Sequence, residues 1–326
     1  MHIKKVLITG CAGFIGMHIA NQLPSNKYEI VGIDNLNTYY DTELKKYRLN
    51  ILKAKTGFRF QKLDICNEVK LAKLFAKEKF DVVIHLAAQA GVRYSLISPH
   101  TYVDANLRGT TNILEISKNF KLDHLLIASS SSVYGSLRNS KFSESSSTDS
   151  PVSFYAATKK AKEVMAYAYS SLYNTPITCL RFFTVYGPAG RPDMAPWIFT
   201  ESIINERKIK VYNNGLLKRD FTYIDDLVDA VEKLLVLPPK KTIDNPPYRI
   251  LNIGSGRPIS LIDFISYIEK ACKKSANKEF VEMQRGDVLE TFADNSQLKK
   301  LIDFKPKTDI ELGISHFVTW FKEWKN

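Results

Sequence analysis

Short apolar runs alternate with stretches of helical periodicity over the first half of the chain. Val6-Leu7-Ile8 comes first, then a glycine loop and a helix-like stretch to Leu23. Glu29 to Ile33 predicts a second strand, and Phe58-Arg59-Phe60 a third that ends at Asp64. A helical pattern from Val69 to Glu78 leads into Val82-Val83-Ile84-His85-Leu86. Asn106 to Asn119 predicts a helix, and Leu125-Leu126-Ile127-Ala128 a strand. Strands that are apolar throughout, separated by helices, argue for a parallel sheet covered on both faces.

The text between Ser136 and Ser153 is rich in Ser, Asn and Asp and predicts a loop. Tyr155 to Tyr173 predicts a long helix, and Thr178 to Phe182 a strand. Beyond Gly187, Pro188, Pro192 and Pro196 punctuate an irregular region of shorter elements. Leu227 to Leu237 again predicts a helix, Pro238 to Pro247 an exposed connection, and Tyr248 to Ile253 a strand. No internal repeat is visible. The expected fold is α/β: a Rossmann-type, doubly wound parallel sheet over residues 1–181 with returning elements near 225–253. A smaller C-terminal α/β lobe, mainly 182–326, is expected to bind substrate.

Composition narrows the function classes. The chain has 326 residues, 44% of them hydrophobic, which suits a soluble globular protein and excludes a small disulfide scaffold. No window reaches the roughly 18 consecutive apolar residues of a membrane span, and the N-terminus shows no apolar export segment. Cys11, Cys66, Cys179 and Cys272 are scattered without a CxxC pair, which favours free thiols over a zinc or disulfide framework. A cytoplasmic location without a membrane partner is therefore expected. The net charge of +12 invites an acidic partner. The lysines are spread, however, with no tract of interleaved aromatics, so no nucleic-acid partner is expected.

The first candidate site is Gly10-Cys11-Ala12-Gly13-Phe14-Ile15-Gly16, which follows the first strand and opens a helix. Glycines permit a tight turn and close approach of a pyrophosphate, and the helix N-terminus offers unpaired N–H groups. The second strand ends in Asp34, eighteen residues past Gly16. A carboxylate there meets the adenosine ribose hydroxyls and repels a 2′-phosphate, so NAD is expected rather than NADP.

A second constellation comes from Tyr155-Ala156-Ala157-Thr158-Lys159, which puts a phenol and an ammonium at i and i+4 on one helix face. The lysine charge favours phenolate and makes the tyrosine a candidate general base. Ser129-Ser130-Ser131-Ser132-Val133-Tyr134-Gly135 ends a strand, at the sheet edge where ligands bind in such folds.

The glycine spacing, His85-Leu86-Ala87-Ala88, the strand-end serines and the Tyr155/Lys159 pair together resemble the extended short-chain dehydrogenase/reductase superfamily, over essentially the whole chain. The resemblance implies that Ser130, four residues before Tyr134, is the catalytic serine beside Tyr155 and Lys159. It further implies cofactor contacts from Gly10, Gly13, Phe14, Ile15, Gly16, Asp34, Asn35, Asp64, Ile65, Leu86, Ala87, Ala88, Asn106, Tyr155, Lys159 and Phe182. Ser130-Ser131-Ser132 stands where dehydratases carry Thr-Asp-Glu, which leaves epimerases, decarboxylases and reductases.

Arg181-Phe182-Phe183-Thr184-Val185-Tyr186-Gly187-Pro188, continuing into Gly190-Arg191-Pro192-Asp193-Met194-Ala195, is similar to the UDP-glucuronate 4-epimerase family, as is Gln89-Ala90-Gly91-Val92-Arg93-Tyr94-Ser95. That likeness implies C4 epimerisation through a 4-keto sugar with retained NAD, on a homodimer whose subunits meet through the helices near Asn106–Asn119 and Tyr155–Tyr173. It assigns Arg191 to the sugar carboxylate, Thr184 to its placement, and Arg219 of Arg219-Asp220-Phe221 to the diphosphate. Arg93, Ser130, Ser131, Ser132, Tyr212 and Arg285 complete the expected UDP-sugar set, and no metal ligands are expected. A guanidinium presents two parallel donors, so it fixes the plane of a carboxylate as well as its charge. Neutral UDP-hexoses or UDP-N-acetylhexosamines, decarboxylation to a UDP-pentose, and a non-catalytic dinucleotide sensor remain the alternatives. Pro196-Trp197, Gly215-Leu216-Leu217-Lys218 and Met283-Gln284-Arg285 depart from the family pattern.

Overall fold

The structure is a computed structural model describing residues 3–137, 141–284 and 286–325. The chain divides into two compact units. The first comprises 1–133, 153–181 and 228–251, and the second 134–152, 182–227 and 252–326.

The expected alternation is present. Strand β1 (Lys4–Thr9) leads to α1 (Phe14–Gln22), β2 (Tyr28–Asp34), α2 (Thr42–Lys53), β3 (Phe58–Lys62), α3 (Glu68–Glu78) and β4 (Val82–His85). Then come α4 (Pro99–Tyr102), α5 (Gly109–Ser117), β5 (His124–Ser130), α6 (Phe154–Tyr173) and β6 (Ile177–Phe182). Later in the chain run β7 (Thr184–Tyr186), α7 (Ala195–Ile204), β8 (Lys208–Tyr212), β9 (Lys218–Tyr223), α8 (Ile224–Leu235) and β10 (Tyr248–Ile253). The last elements are β11 (Pro258–Ser260), α9 (Leu261–Cys272), β12 (Asn277–Val281), α10 (Ser296–Ile302) and α11 (Ile310–Lys325).

Seven strands form one sheet in the order β10-β6-β5-β4-β1-β2-β3. β1 pairs in parallel with both β2 and β4, so the strand order reverses at β1. This is the switch point beside which such sheets open a crevice at their carboxyl ends. β1, β4 and β5 are almost wholly buried, which explains their uninterrupted apolar runs. Leu7, Val83, Leu125, Ile127 and Ile177 share one core cluster with Leu71 and Phe75 of α3 and Ile113 of α5.

The helix expected from Asn106 begins earlier and is interrupted. A π-helical turn, Val103–Arg108, separates α4 from α5. Its wider turn carries an extra residue, a feature that recurs at functional sites, and Asn106 within it is fully buried. Residues 35–57, without a predicted element, contain α2. Its amphipathic pattern is masked because Lys45 and Arg48 are buried beside Leu44, Leu49 and Leu52.

In the second unit, β11-β9-β7 form one small sheet and β12-β8 another. Trp197 of α7 packs edge-on against Phe321 of α11 at 5.0 Å, and Phe221 stacks on Phe264 at 4.0 Å. Pro196 sits in the first turn of α7, a position that needs no amide donor. Pro196-Trp197 is thus a helix start and a core anchor. Residues 134–152 group with this second unit rather than with a domain 1–181. Asn252 explains why: its amide donates to Phe142 O at 2.6 Å and to Asp294 O at 3.1 Å, and its Oδ1 accepts from the Tyr134 hydroxyl at 2.7 Å.

Candidate active site

The glycine loop begins where β1 ends. Gly10 has φ +75°, and a Cβ there would come within 2.8 Å of the Ala87 backbone nitrogen. A Cβ on Gly16 would overlap the Gly10 carbonyl. Both positions therefore require glycine for the loop to close on itself and on Ala87. Gly13 caps α1 and supplies no side-chain acceptor, so the first-turn N–H groups of α1 are left for a ligand. Phe14 is buried and Ile15 partly so.

Asp34 ends β2. Its carboxylate accepts from Ala12 N at 3.2 Å and Leu36 N at 2.8 Å, which ties it to the glycine loop. Burial raises its pKa, opposed by those bonds and by the charges of Lys45 and Arg48. Lys45 donates to Asn37, and Arg48 to Ala12 O and the Tyr40 hydroxyl. These two buried cations escaped the sequence reading. The helix-cap signal of Asp41, which accepts from Glu43 N, marks the start of the helix that carries them.

Asn35 donates to Asp64 at 2.8 Å. Burial alone would raise the Asp64 carboxyl, but bonds from Asn35 and Cys66 hold it below its ordinary value. Asp64, Cys66, Asn67, Glu68, Val69 and Arg108 line an open cleft of about 510 Å³. Ile65 O accepts from Asn112. Beyond β4, Leu86 N and Ala87 N donate to Thr9 O and Thr9 Oγ1, and Ala88 follows at the same edge. The Asn106 amide accepts from Gln89 N and donates to Gln89 O and Thr158 Oγ1. It therefore pins the strand-end loop to α6, beside Tyr155 and Lys159. A loop glycine pattern, an uncapped helix start and a ribose-height carboxylate together fit NAD.

Tyr155 and Lys159 lie in the first two turns of α6, whose start is capped by Ser153. Lys159 Nζ donates to Ala128 O at 3.0 Å and sits 5.7 Å from the Tyr155 ring centroid. The Tyr102 ring meets Tyr155 edge-on at 6.1 Å, and its hydroxyl donates to the carbonyls of Ala90 and Gly91. Ser130 Oγ accepts from Ser132 N at 3.2 Å and Ser132 Oγ at 2.9 Å. Its own proton can then be donated to a reacting oxygen. Ser131 is buried and Arg93 exposed.

Thr184, Arg191, Tyr212 and Arg219 belong to the second unit, with Phe182. Thr184 begins β7, paired with Phe221, and Tyr212 ends β8. Arg191 donates through Nε and Nη2 to both carboxylate oxygens of Asp193, a fork-to-fork pair. Arg219 donates to Asp287 at 3.0 Å and to Leu289 O at 3.2 Å. The expected Arg285 lies outside the described residues. Asp220, which the sequence reading passed over beside Arg219, is fully buried and accepts from Ser255 N and Oγ, Gly256 N and Ala293 N. The 252–258 turn is thereby organised around one carboxylate.

Comparison with known proteins agrees with this geometry. Residues 6–254 match the model of the NAD dependent epimerase/dehydratase family. The chain belongs to that family. Within it, the chain is 47% identical to Protein CapI of Staphylococcus aureus, covering 98% of this chain and 99% of the relative. It is 43% identical to the UDP-glucuronate 4-epimerase of Thermodesulfobacterium geofontis, covering 97% and 96%. Among solved structures, the UDP-glucuronic acid 4-epimerase from Bacillus cereus in complex with UDP-glucuronic acid and NAD superposes with a TM-score of 0.90. That match is at 35% identity and covers 98% of this chain and 99% of the other.

Proposed function

We propose that this protein interconverts UDP-glucuronate and UDP-galacturonate by inverting C4, with NAD retained between turnovers. The full-length likeness to a solved 4-epimerase that holds UDP-glucuronic acid and NAD carries the reading.

The cofactor seat is Gly10 to Gly16 with Asp34, joined by Asn35, Asp64, Ile65 and Leu86 to Ala88 along the sheet edge. NAD, when bound, supplies the oxidation of C4 and its reversal. Every proton step falls to side chains. Tyr155 takes the 4-hydroxyl proton as general base and returns it at the end. Lys159, anchored on Ala128 O, is held with its ammonium beside the Tyr155 ring. Ser130, its oxygen already accepting from Ser132, donates to the reacting oxygen. Arg219 is assigned to the diphosphate while the ketosugar turns, and Arg93, Ser131, Ser132 and Tyr212 to further contacts with the nucleotide sugar. Arg191 and Thr184 hold the carboxylate. A β-keto acid loses carbon dioxide when the breaking bond aligns with the carbonyl π system, and a planar two-donor clamp prevents that alignment. Asp193 fixes the guanidinium for this task.

The same reading makes the protein a homodimer through α5 and α6, where Val164, Tyr167 and Leu172 are exposed. Sedimentation should then give twice the 37.1 kDa of one chain. No described helix is long and apolar enough to cross a membrane. We place the enzyme in the cytoplasm, where its four free cysteines stay reduced.

The deciding experiment incubates purified protein with UDP-glucuronate, without added NAD, and resolves the sugar nucleotides by proton NMR. UDP-galacturonate alone supports the proposal. A UDP-pentose makes the enzyme a decarboxylase, and no reaction even with NAD moves the substrate to neutral UDP-hexoses.

A further inference from the structure

Two residues below the catalytic tyrosine and lysine draw notice because no substrate or cofactor role needs them. Glu163 and Arg181 are both buried, with side chains only 2% exposed. Glu163 lies one helical turn beyond Lys159 and two beyond Tyr155, so all three occupy one stripe of α6. Its Oε1 accepts from Arg181 Nε and its Oε2 from Arg181 Nη2, both at 2.8 Å. The same Oε1 accepts from the Ser129 hydroxyl at 2.6 Å. Ser129 is the residue immediately before Ser130 at the end of β5, and Ala128, the residue before that, accepts from Lys159.

We infer that Ser129, Glu163 and Arg181 form a positioning network that sets the rotation and height of α6 against the end of β5, and so holds Tyr155 and Lys159 in line with Ser130. The geometry explains why a buried ion pair serves this purpose. One residue of rotation on a helix is about 100° and one of translation about 1.5 Å. Apolar contacts have no preferred direction, so rotations and shifts of a fraction of that step fall to directional contacts. A bidentate guanidinium–carboxylate pair has one productive orientation. Anchored on β6 through Arg181 and on β5 through Ser129, the Glu163 carboxylate fixes the stripe that carries the phenol and the ammonium. Proton transfer depends steeply on such alignment, since misplacement by about 1 Å can cost two orders of magnitude in rate. A buried charge pair is by contrast a weak source of stability compared with apolar residues of the same volume. The three residues touch neither substrate nor cofactor in this reading.

The inference rests on the proposed epimerase activity for its kinetic arm, so the test also has an arm free of it. Three variants are compared with the parent: Ser129→Ala, Ser129→Thr, and the double variant Glu163→Gln with Arg181→Gln. Ser129→Ala removes the link to β5 and leaves the ion pair, so its melting temperature should stay near that of the parent. With UDP-glucuronate, its kcat should fall about tenfold while KM changes less than twofold. Ser129→Thr, which restores a hydroxyl on a strand residue, should recover most of the loss. The double variant should lose more in kcat. In the second arm, 3-fluorotyrosine replaces Tyr155, and the fluorine signal is recorded without any sugar. Ser129→Ala should move and broaden that signal, and Ser129→Thr should return it. A folded Ser129→Ala protein with an unmoved fluorine signal and parental kcat overturns the inference. So does a kcat loss that only tracks melting temperature. If the parent does not turn over UDP-glucuronate, the substrate proposal fails on its own, and the fluorine arm still decides the positioning role.

Discussion

At the scale of single residues, the two clearest expectations concern Tyr155 and Arg191. Tyr155→Phe removes one oxygen from a ring already packed edge-on against Tyr102. Folding and NAD content should be retained, while kcat falls by about two to four orders of magnitude. Near-parental turnover in a steady-state assay would remove Tyr155 from the mechanism. Arg191→Gln keeps a polar group of similar length and loses the charged fork. The kcat/KM for UDP-glucuronate should fall roughly 30-fold, as for the loss of about 2 kcal/mol from a charge-assisted bond. The ratio of UDP-glucose to UDP-glucuronate use should rise. An equal fall on both sugars would mean that Arg191 serves only to hold Asp193. The residue pattern alone already placed Tyr155 and Lys159 together, because an i, i+4 spacing on a helix is settled locally. It could not reveal that Arg191 spends two donors on Asp193, since a proline-punctuated loop has no fixed periodicity to read.

At the scale of elements, α6 carries a second unusual residue. Lys162 is fully buried, its Nζ has no hydrogen-bond partner among the described residues, and burial followed by the charge of Lys159 drives its pKa well below the ordinary lysine value. In an unfolded chain lysine keeps its proton up to about pH 10.4. The unfolded state therefore binds more protons than the folded one across the interval between the two pKa values, and stability rises with pH through it. Lys162→Met, which keeps the volume, should stabilise the protein by about 1–3 kcal/mol at neutral pH. Urea melts at pH 7 and pH 9 should show the gap between variant and parent narrowing as pH rises. A variant no more stable at pH 7 would mean that the amine keeps its proton in the folded state. Element by element, strands β1, β4 and β5 were legible because strands buried on both faces are apolar without interruption. Helix α2 was not, because Lys45 and Arg48 face inward towards Asp34 and the glycine loop, against the usual sense of an amphipathic pattern. The π-turn at Val103–Arg108 also lay beyond reading by period, since one extra residue per turn breaks the register on either side.

At the scale of the whole molecule, acid should be the condition that unfolds the chain first. His85 is fully buried between Thr9 and Thr110, and burial drives its pKa well below the usual value. His124, held by Thr178 and Leu235 O, is pushed down to about 3 by burial and then by the charge of Arg249. Both are neutral in the folded state and take up a proton on unfolding once the pH drops below about 6.5. Their contribution is therefore fully present above that pH and is lost as pH falls towards the folded values, at roughly 2 kcal/mol by pH 5 for His124. The urea midpoint should be lower at pH 5 than at pH 7, and His124→Gln should remove part of that difference. An unchanged midpoint at pH 5 would mean that these histidines are protonated in place. The glycine loop, the carboxylate at the end of β2, the alternation of strands and helices and the Tyr155/Lys159 pair are all readable in the order of residues. Each depends on spacings of a few residues, or on one strand following another, and local backbone geometry settles those. The Glu163–Arg181–Ser129 junction, the Arg219–Asp287 pair, the Asp220 hub and the grouping of residues 134–152 with the second unit come from packing. Those contacts join residues far apart in the chain, and which polar group finds which partner depends on how the elements pack and which groups are taken out of water.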